Sequence, residues 1–166
     1  AKIGLIKRSG ADLSVVTGEY ANAFQDAQAY ETEKGAMQVH AFDAISTVAG
    51  QGTLTREWEE QGLQADTILI AVGGGGLIAG AMAWLGKTRK ILAVEPEKAP
   101  TMFTALAQGG PQDVEVGGIA ANALGARKVG QICYDLAIET GTECVTVTDE
   151  AIRTAQVALW QECRQL

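Results

Sequence analysis

Apolar residues follow two alternating spacings along this chain, and the alternation predicts strands and helices in turn. Residues 67–72 and 90–94 are short, continuous aliphatic runs of the kind that form buried strands. Elsewhere apolar residues recur every three or four positions, as on one face of a helix. The clearest such set is Tyr20, Ala23, Phe24, Ala27 and Tyr30. Strands alternating with helices are typical of the α/β class, so we expect a parallel sheet with helices on both faces.

The same spacings divide the chain into a shorter and a longer part. We predict strands over residues 12–17 and 36–40, joined by a helix that ends at Gly35. This β-α-β unit is expected to form the end of a small α/β lobe over residues 1–40. Residues 41–166 are expected to form most of a larger lobe.

The larger part contains the remaining predicted strands and helices. A helix is predicted to begin after a turn at residues 50–53, because two glycines punctuate the pattern there. The strand at residues 67–72 is predicted to be central, with both of its faces covered. Another strand is expected over residues 144–147, and Thr148 or Asp149 is expected to cap the last helix.

Composition and charge narrow the classes of function. The chain has 166 residues, is 47% hydrophobic and carries a formal net charge of −7 without a basic block. This pattern argues against a nucleic-acid partner and against binding to an anionic membrane surface. No apolar run approaches the ~20 residues that a membrane helix needs. The three cysteines show no C-x-x-C spacing, so we expect a cytoplasmic protein without disulfides and without a metal site.

The ends of the chain carry two further expectations. The chain begins without methionine and stops inside a helical pattern with no Gly or Pro stop signal, which predicts an internal piece of a longer protein. The final helix also has one apolar stripe, formed by Ile152, Ala155, Leu159, Trp160 and Cys163. An uncovered stripe favours self-association, so we expect a homo-oligomer.

The strongest chemical signal is a run of four glycines between a predicted strand and a predicted helix. Glycines let the backbone turn sharply and approach a ligand, because no Cβ stands in the way. Successive N–H groups at a helix N-terminus then attract an anion. We therefore expect Gly73, Gly74, Gly75, Gly76 and Leu77 to bind a phosphate group.

Two other interpretations of the glycine run stay open at this point. A tight turn alone would need one or two glycines rather than four. A dinucleotide site is the second interpretation: Gly74, Gly76 and Ala79 fit G-x-G-x-x-G/A, and Glu95 lies where a ribose-binding acid would be expected. This interpretation makes the chain a stand-alone dinucleotide-binding or small-molecule-binding module.

Several motifs together resemble the serine/threonine dehydratases of the fold-type II pyridoxal 5′-phosphate (PLP) enzymes. The similar segments occur along the chain in the same order as in the family. The chain departs from the family's pattern at Ala41, where the family has proline. The similar segments are the glycine loop at 72–80, H-A-F-D at 40–43, A-G-Q-G-T at 49–53, V-E-P-E at 94–97, and G-I-A at 118–120 leading to L-G-A-R at 124–127.

The resemblance implies a cofactor, a substrate class and a reaction. It implies that the glycine loop at residues 73–77 holds PLP and that a second glycine loop, at Gly118, passes near the cofactor. It also implies that the substrate is a small amino acid. The implied reaction is β-elimination of water from L-threonine or L-serine, which gives a 2-oxo acid and ammonia. A serine racemase-like activity is the alternative that the resemblance leaves open.

The resemblance also implies that an essential group is absent. The lysine that forms the Schiff base with PLP precedes, in the family, the region that starts at Ala1. The seven lysines here all lie in polar contexts that favour a solvated charge: Lys2, Lys7, Lys34, Lys87, Lys90, Lys98 and Lys128. His40, the single histidine, has no second histidine for a metal or a catalytic pair. We therefore assign no catalytic residue and expect the chain alone to be inactive.

Overall fold

The computed structural model describes residues 2–18 and 20–165. The chain divides into two compact units, residues 1–39 and residues 40–166. The lobe boundary predicted from the sequence, between residues 40 and 41, falls one residue from this division.

The helices and strands have the following bounds in the described part of the chain. The helices are α1 (Lys2–Arg8), α2 (Tyr20–Lys34), α3 (Ile45–Glu60), α4 (Gly76–Leu85), α5 (Thr101–Gln108), α6 (Ala121–Leu124), α7 (Gln131–Thr140) and α8 (Asp149–Cys163). The strands are β1 (Thr67–Ala71), β2 (Lys90–Pro96) and β3 (Glu143–Val147). All three strands and six of the helices belong to the second unit.

The first unit contains α1 and α2, and its two predicted strands are absent. Residues 12–17 and 36–40 take no strand structure, so the β-α-β prediction for this part is wrong. The physical reason is pairing, because a strand is stable only when a neighbour satisfies its backbone N–H and C=O groups. Among the described residues, β1, β2 and β3 pair only with one another.

The second unit is built on a three-stranded parallel sheet in the order β1-β2-β3, which confirms the predicted parallel sheet with helices. In the register, Ile70 pairs with Ala93, and Ala93 pairs with Cys144. Ile70 and Ala93 are buried in one hydrophobic core with Ile78 and Met82 of α4. Apolar residues at alternate positions therefore fix which side of the sheet faces the helices.

The prediction of a central strand at residues 67–72 is wrong in one respect. In the described sheet, β1 is an edge strand that pairs with β2 only. Ile68 and Ile70 are buried, whereas Leu69 between them is 65% exposed. A continuous apolar run does not show how many neighbours a strand has, so the sequence alone could not distinguish an edge from a centre.

Helix α3 begins earlier than the glycine pattern predicts. Its first residue is Ile45, and Gly50 and Gly52 lie inside the helix rather than in a turn. A Cβ on Gly52 would lie 3.1 Å from the carbonyl oxygen of Gly80 in α4, and a Cβ on Gly80 would overlap the backbone N of Gly52. These glycines therefore permit close contact between α3 and α4. In the sequence, glycines with this role cannot be distinguished from glycines that mark a turn.

The last helix begins as predicted and is open to solvent. The Thr148 hydroxyl accepts a hydrogen bond from the backbone N–H of Ala151 at 3.1 Å, which confirms Thr148 as the N-cap. Leu159 and Trp160 of the apolar stripe are exposed, so the expected self-association through this stripe stays a prediction. Among the described residues, no helix has the length and apolar character needed to cross a bilayer.

Candidate functional site

The glycine loop joins the end of β1 to the start of α4. Gly75 is the N-cap of α4 and has a φ of 91°, which lies in the left-handed region. A Cβ at this residue would lie 2.6 Å from Sγ of Cys133 and 2.9 Å from a methyl carbon of Val129. Both the backbone conformation and the space therefore require glycine at this position.

Three successive carbonyl groups of the loop are held on its packed side. The Gly73 carbonyl accepts a hydrogen bond from the Thr101 hydroxyl at 2.8 Å. The Gly74 carbonyl accepts from the Gly130 N–H at 2.9 Å, and the Gly75 carbonyl accepts from the Ala79 N–H, also at 2.9 Å. Three donors from three different places in the chain thus fix three neighbouring peptide groups.

The fixed carbonyls determine where the amides point. In a trans peptide, the C=O of one residue and the N–H of the next point in opposite directions. The N–H groups of Gly74, Gly75 and Gly76 therefore point away from the donors that hold the preceding carbonyls, although Gly75 and Gly76 are themselves buried. No described residue accepts a hydrogen bond from these three amides or from the N–H of Leu77. The loop thus presents free donors at the positive end of a helix dipole, which is the arrangement that binds anions.

Two side contacts confine the loop. The Phe42 ring covers Gly74, where any Cβ would overlap the ring, and the Phe42 backbone would lie 3.0 Å from a Cβ on Gly76. On the other side, the backbone of Leu124 in α6 would lie 3.1 Å from a Cβ on Gly73. Three of the four glycines are therefore required by neighbouring atoms rather than by backbone angles.

The segment around Phe42 also supports the helix beneath the loop. The Asp43 carboxylate accepts hydrogen bonds from the N–H groups of Gln131 and Ile132, both at 3.0 Å, and so caps α7. His40 Nδ1 accepts from the Asp43 N–H at 2.9 Å, which fixes the turn. His40 therefore has a structural role here, as the sequence indicated.

Glu95 is fully buried at the end of β2, where it caps α5. Its carboxylate accepts hydrogen bonds from the N–H groups of Met102 and Phe103, each at 2.9 Å, and lies 2.7 Å from the Thr101 hydroxyl oxygen. Cys144 also points its thiol at this carboxylate, at 3.5 Å. Because both carboxylate oxygens are occupied and shielded from solvent, Glu95 is not available to a ribose. The dinucleotide interpretation is therefore wrong, because it requires Glu95 to bind a ribose.

Gly118 lies beside the start of α8. A Cβ there would lie 2.5 Å from the Asp149 carboxylate, which accepts a hydrogen bond from the Ile119 N–H at 3.2 Å. Lys98 donates to the same carboxylate at 2.7 Å, and this bond holds the pKa of Asp149 below its ordinary value and the pKa of Lys98 above its own. A role for Gly118 at the cofactor therefore rests on the sequence resemblance and not on a contact with the glycine loop.

Sequence reasoning missed several residues that shape the loop. Thr101 and Gly130 donate to its carbonyls, and Cys133 packs beneath Gly75. No local pattern distinguishes these residues, because each meets the loop from a distant part of the chain. Phe42 and Asp43 did carry a signal, since they belong to the H-A-F-D segment that was singled out.

The cysteines differ sharply in their surroundings. Burial raises the pKa of the Cys133 thiol to about 12, with smaller contributions from the charges of Glu95 and Asp43. Burial, together with the charge and hydrogen bond of Glu95, raises the pKa of Cys144 well above its ordinary value. Cys163 is exposed on α8. Over residues 2–18 and 20–165, no group of three or more His, Cys, Asp or Glu is placed to hold a metal ion.

We expect one fast-reacting thiol in the native chain. At pH 8, Cys163 should react with a disulfide reagent such as Ellman's reagent, while the buried Cys133 and the half-buried Cys144 stay protonated. Thiol counting by absorbance should give one fast equivalent in buffer and three equivalents in denaturant. The Cys163→Ser variant should lose the fast phase, and a second fast thiol in the native protein would contradict this account of the core.

Comparisons with known proteins give matches over nearly the whole chain. A family model described as "Pyridoxal-phosphate dependent enzyme" matches residues 1–166. Phenylserine dehydratase of Ralstonia pickettii is 32% identical over 99% of this chain and 51% of its own length. The L-threonine ammonia-lyase of Thermotoga maritima is 28% identical over 99% of this chain and 42% of its own. The solved structure of serine racemase from Dictyostelium discoideum has a TM-score of 0.86 at 26% identity, over 99% of this chain and 53% of its own. The chain thus spans about half the length of these relatives.

Proposed function

Because this chain belongs to the pyridoxal-phosphate dependent enzyme family, we propose that its glycine loop binds the phosphate of PLP. Gly73, Gly74, Gly75, Gly76 and Leu77 form the proposed phosphate site, and Gly118 is proposed to lie near the rest of the cofactor. Residues 1–40 would then be the end of a small lobe, and residues 41–166 most of the cofactor-binding lobe.

The observation that carries the proposal is the set of unpaired amides at residues 74–77. A phosphate dianion needs several donors and little steric hindrance, and the loop provides free N–H groups at residues 74–77. The four glycines carry no side chain that could fill the approach. The donors are local backbone groups, so the acidic net charge of the chain does not prevent anion binding.

We propose that the whole protein catalyses β-elimination from a small hydroxy-amino acid, giving a 2-oxo acid and ammonia. The relatives include proteins described as a phenylserine dehydratase and an L-threonine ammonia-lyase, which supports elimination. A structure described as a serine racemase keeps racemisation as a second candidate. When bound, PLP supplies an electron sink for the negative charge that develops at the substrate Cα.

The residues of this chain contribute binding and orientation rather than proton transfer. The loop amides would hold the phosphate. Phe42 and Leu124 contact the loop and would keep it in one conformation. All seven lysines are exposed, and within residues 2–18 and 20–165 Lys34, Lys90, Lys98 and Lys128 form ion pairs with acidic side chains. None is buried beside the loop, so the lysine that carries the cofactor is expected in another part of the whole protein.

A binding experiment tests the phosphate site without that lysine. Pyridoxine 5′-phosphate has the phosphate and ring of PLP but no aldehyde, so it does not react with surface lysines. In calorimetry, the 166-residue chain should bind pyridoxine 5′-phosphate and should bind pyridoxine, which lacks the phosphate, at least about tenfold more weakly. This ratio corresponds to about 1.4 kcal/mol, a modest gain for several charge-assisted hydrogen bonds.

Equal affinity for the two compounds would contradict the phosphate site. The same chain, mixed with PLP and L-threonine, should release no ammonia above a buffer control, because the reactive groups are not held together. The whole protein should release ammonia from L-threonine or L-serine. Formation of D-serine without ammonia would favour the racemase candidate instead.

A further inference from the structure

We propose that Thr101 is a positioning residue for the phosphate site. This inference rests on the proposed function and names a residue that acts on the loop without touching the ligand. The Thr101 hydroxyl lies between the buried carboxylate of Glu95 and the carbonyl of Gly73. It thereby couples the start of α5 to the first peptide group of the glycine loop.

The geometry around the hydroxyl is tightly defined. Thr101 and Glu95 are both 0% exposed, so water does not reach either side chain, and Gly73 is half-buried. The hydroxyl oxygen lies 2.8 Å from the Gly73 carbonyl oxygen and 2.7 Å from a Glu95 carboxylate oxygen. These distances match the range for hydroxyl hydrogen bonds. The hydroxyl carries one proton and both partners are acceptors, so the proton is shared between them in a three-centre hydrogen bond.

The Gly73 carbonyl depends on this contact more than Glu95 does. The Glu95 carboxylate also receives the N–H groups of Met102 and Phe103. Among the described residues, the Gly73 carbonyl receives no donor other than the Thr101 hydroxyl. Loss of the hydroxyl would leave this carbonyl without a partner, which favours rotation of the peptide toward another donor.

Rotation of this peptide would move the Gly74 N–H, because the Gly73 carbonyl and the Gly74 N–H belong to one planar peptide group. The N–H groups of Gly75 and Gly76 would be less affected. Each shares a peptide group with the carbonyl of the preceding residue, and these two carbonyls are held by the N–H groups of Gly130 and Ala79. Thr101 therefore sets the direction of one amide of the phosphate site, and Glu95 holds Thr101 in place.

The test compares three variants of the 166-residue chain with the wild type. Thr101→Val removes the hydroxyl and keeps the shape, and Thr101→Ser keeps the hydroxyl. Thr104→Val makes the same change one turn further along α5, away from the loop. For pyridoxine 5′-phosphate, Thr101→Val should bind about tenfold more weakly, while Thr101→Ser and Thr104→Val should bind within about twofold of wild type. Affinity for pyridoxine should not change in any variant.

The outcomes separate this inference from the proposed function. If the wild type does not prefer pyridoxine 5′-phosphate over pyridoxine, the phosphate site itself is wrong. If the wild type does prefer it but Thr101→Val binds equally well, or Thr101→Ser loses as much affinity as Thr101→Val, the positioning role of the hydroxyl is wrong.

A second measurement uses the wild type and therefore does not depend on the folding of Thr101→Val. Addition of pyridoxine 5′-phosphate should shift the ¹⁵N and ¹H resonances of the Gly74 amide, because that N–H is expected to bind the phosphate. Thr101→Ser should show the same shift. Binding without a change at the Gly74 amide would overturn the proposal.

Discussion

Replacing Gly75 with alanine is expected to destabilise the chain by about 2–5 kcal/mol. The left-handed backbone at this residue should cost roughly 1–2 kcal/mol with any side chain. The added methyl group would also lie 2.6 Å from Sγ of Cys133, and such overpacking should cost roughly 1–3 kcal/mol more. Urea unfolding of the variant and the wild type would measure the difference in free energy.

Gly62 provides a matched control for the Gly75 substitution. Its φ of 86° is close to that of Gly75, but a Cβ there would meet no atom within 4 Å. Gly62→Ala should therefore lose only the roughly 1–2 kcal/mol of backbone strain. Equal losses in the two variants would show that the close packing of the loop on α7 does not contribute to stability.

Replacing Glu95 with glutamine is expected to cost about 1–5 kcal/mol of unfolding free energy. The shape is kept, but one oxygen becomes an NH₂ group that cannot accept the N–H of Met102 or Phe103. The unpaired donor should cost about 1–3 kcal/mol, and loss of the negative charge at the start of α5 should add up to about 2 kcal/mol. Urea unfolding at pH 7 would measure the change.

The control for this substitution lies two residues away. Glu97 is exposed, so Glu97→Gln should change stability by less than about 0.5 kcal/mol. A further consequence concerns the loop, because Glu95 also holds the Thr101 hydroxyl. If Glu95→Gln is as stable as Glu97→Gln, the carboxylate neither caps α5 in solution nor positions Thr101.

These predictions concern the contacts that hold the glycine loop in one conformation. The loop is fixed at Gly73 by α5, at Gly74 by the residue before α7 and at Gly75 by α4. A phosphate site built from backbone amides needs such support, because a flexible glycine run would have to be ordered each time the ligand binds. The four glycines lose conformational entropy when the chain folds. Packing around the loop offsets this cost and orients the amides before a ligand binds.

The sequence by itself determined the class of the fold and marked the glycine loop as the candidate site. Apolar spacing identified α4, α8 and all three strands of the sheet, since these depend on patterns within a few residues. The strand–glycine–helix order identified the proposed phosphate loop for the same local reason. The H-A-F-D and V-E-P-E segments pointed to residues that the structure places in supporting roles, although their contacts could not be read from the pattern.

Tertiary structure decided the features that depend on distant residues. Residues 12–17 have a strand-like pattern and form no strand, because pairing needs a partner that no local pattern reveals. Gly52 looks like a turn residue and instead allows α3 to approach α4. Glu95 matched a ribose-binding position, but the start of α5 uses its carboxylate. In each case the local pattern fits two environments, and only the packing of segments far apart in the chain selects one of them.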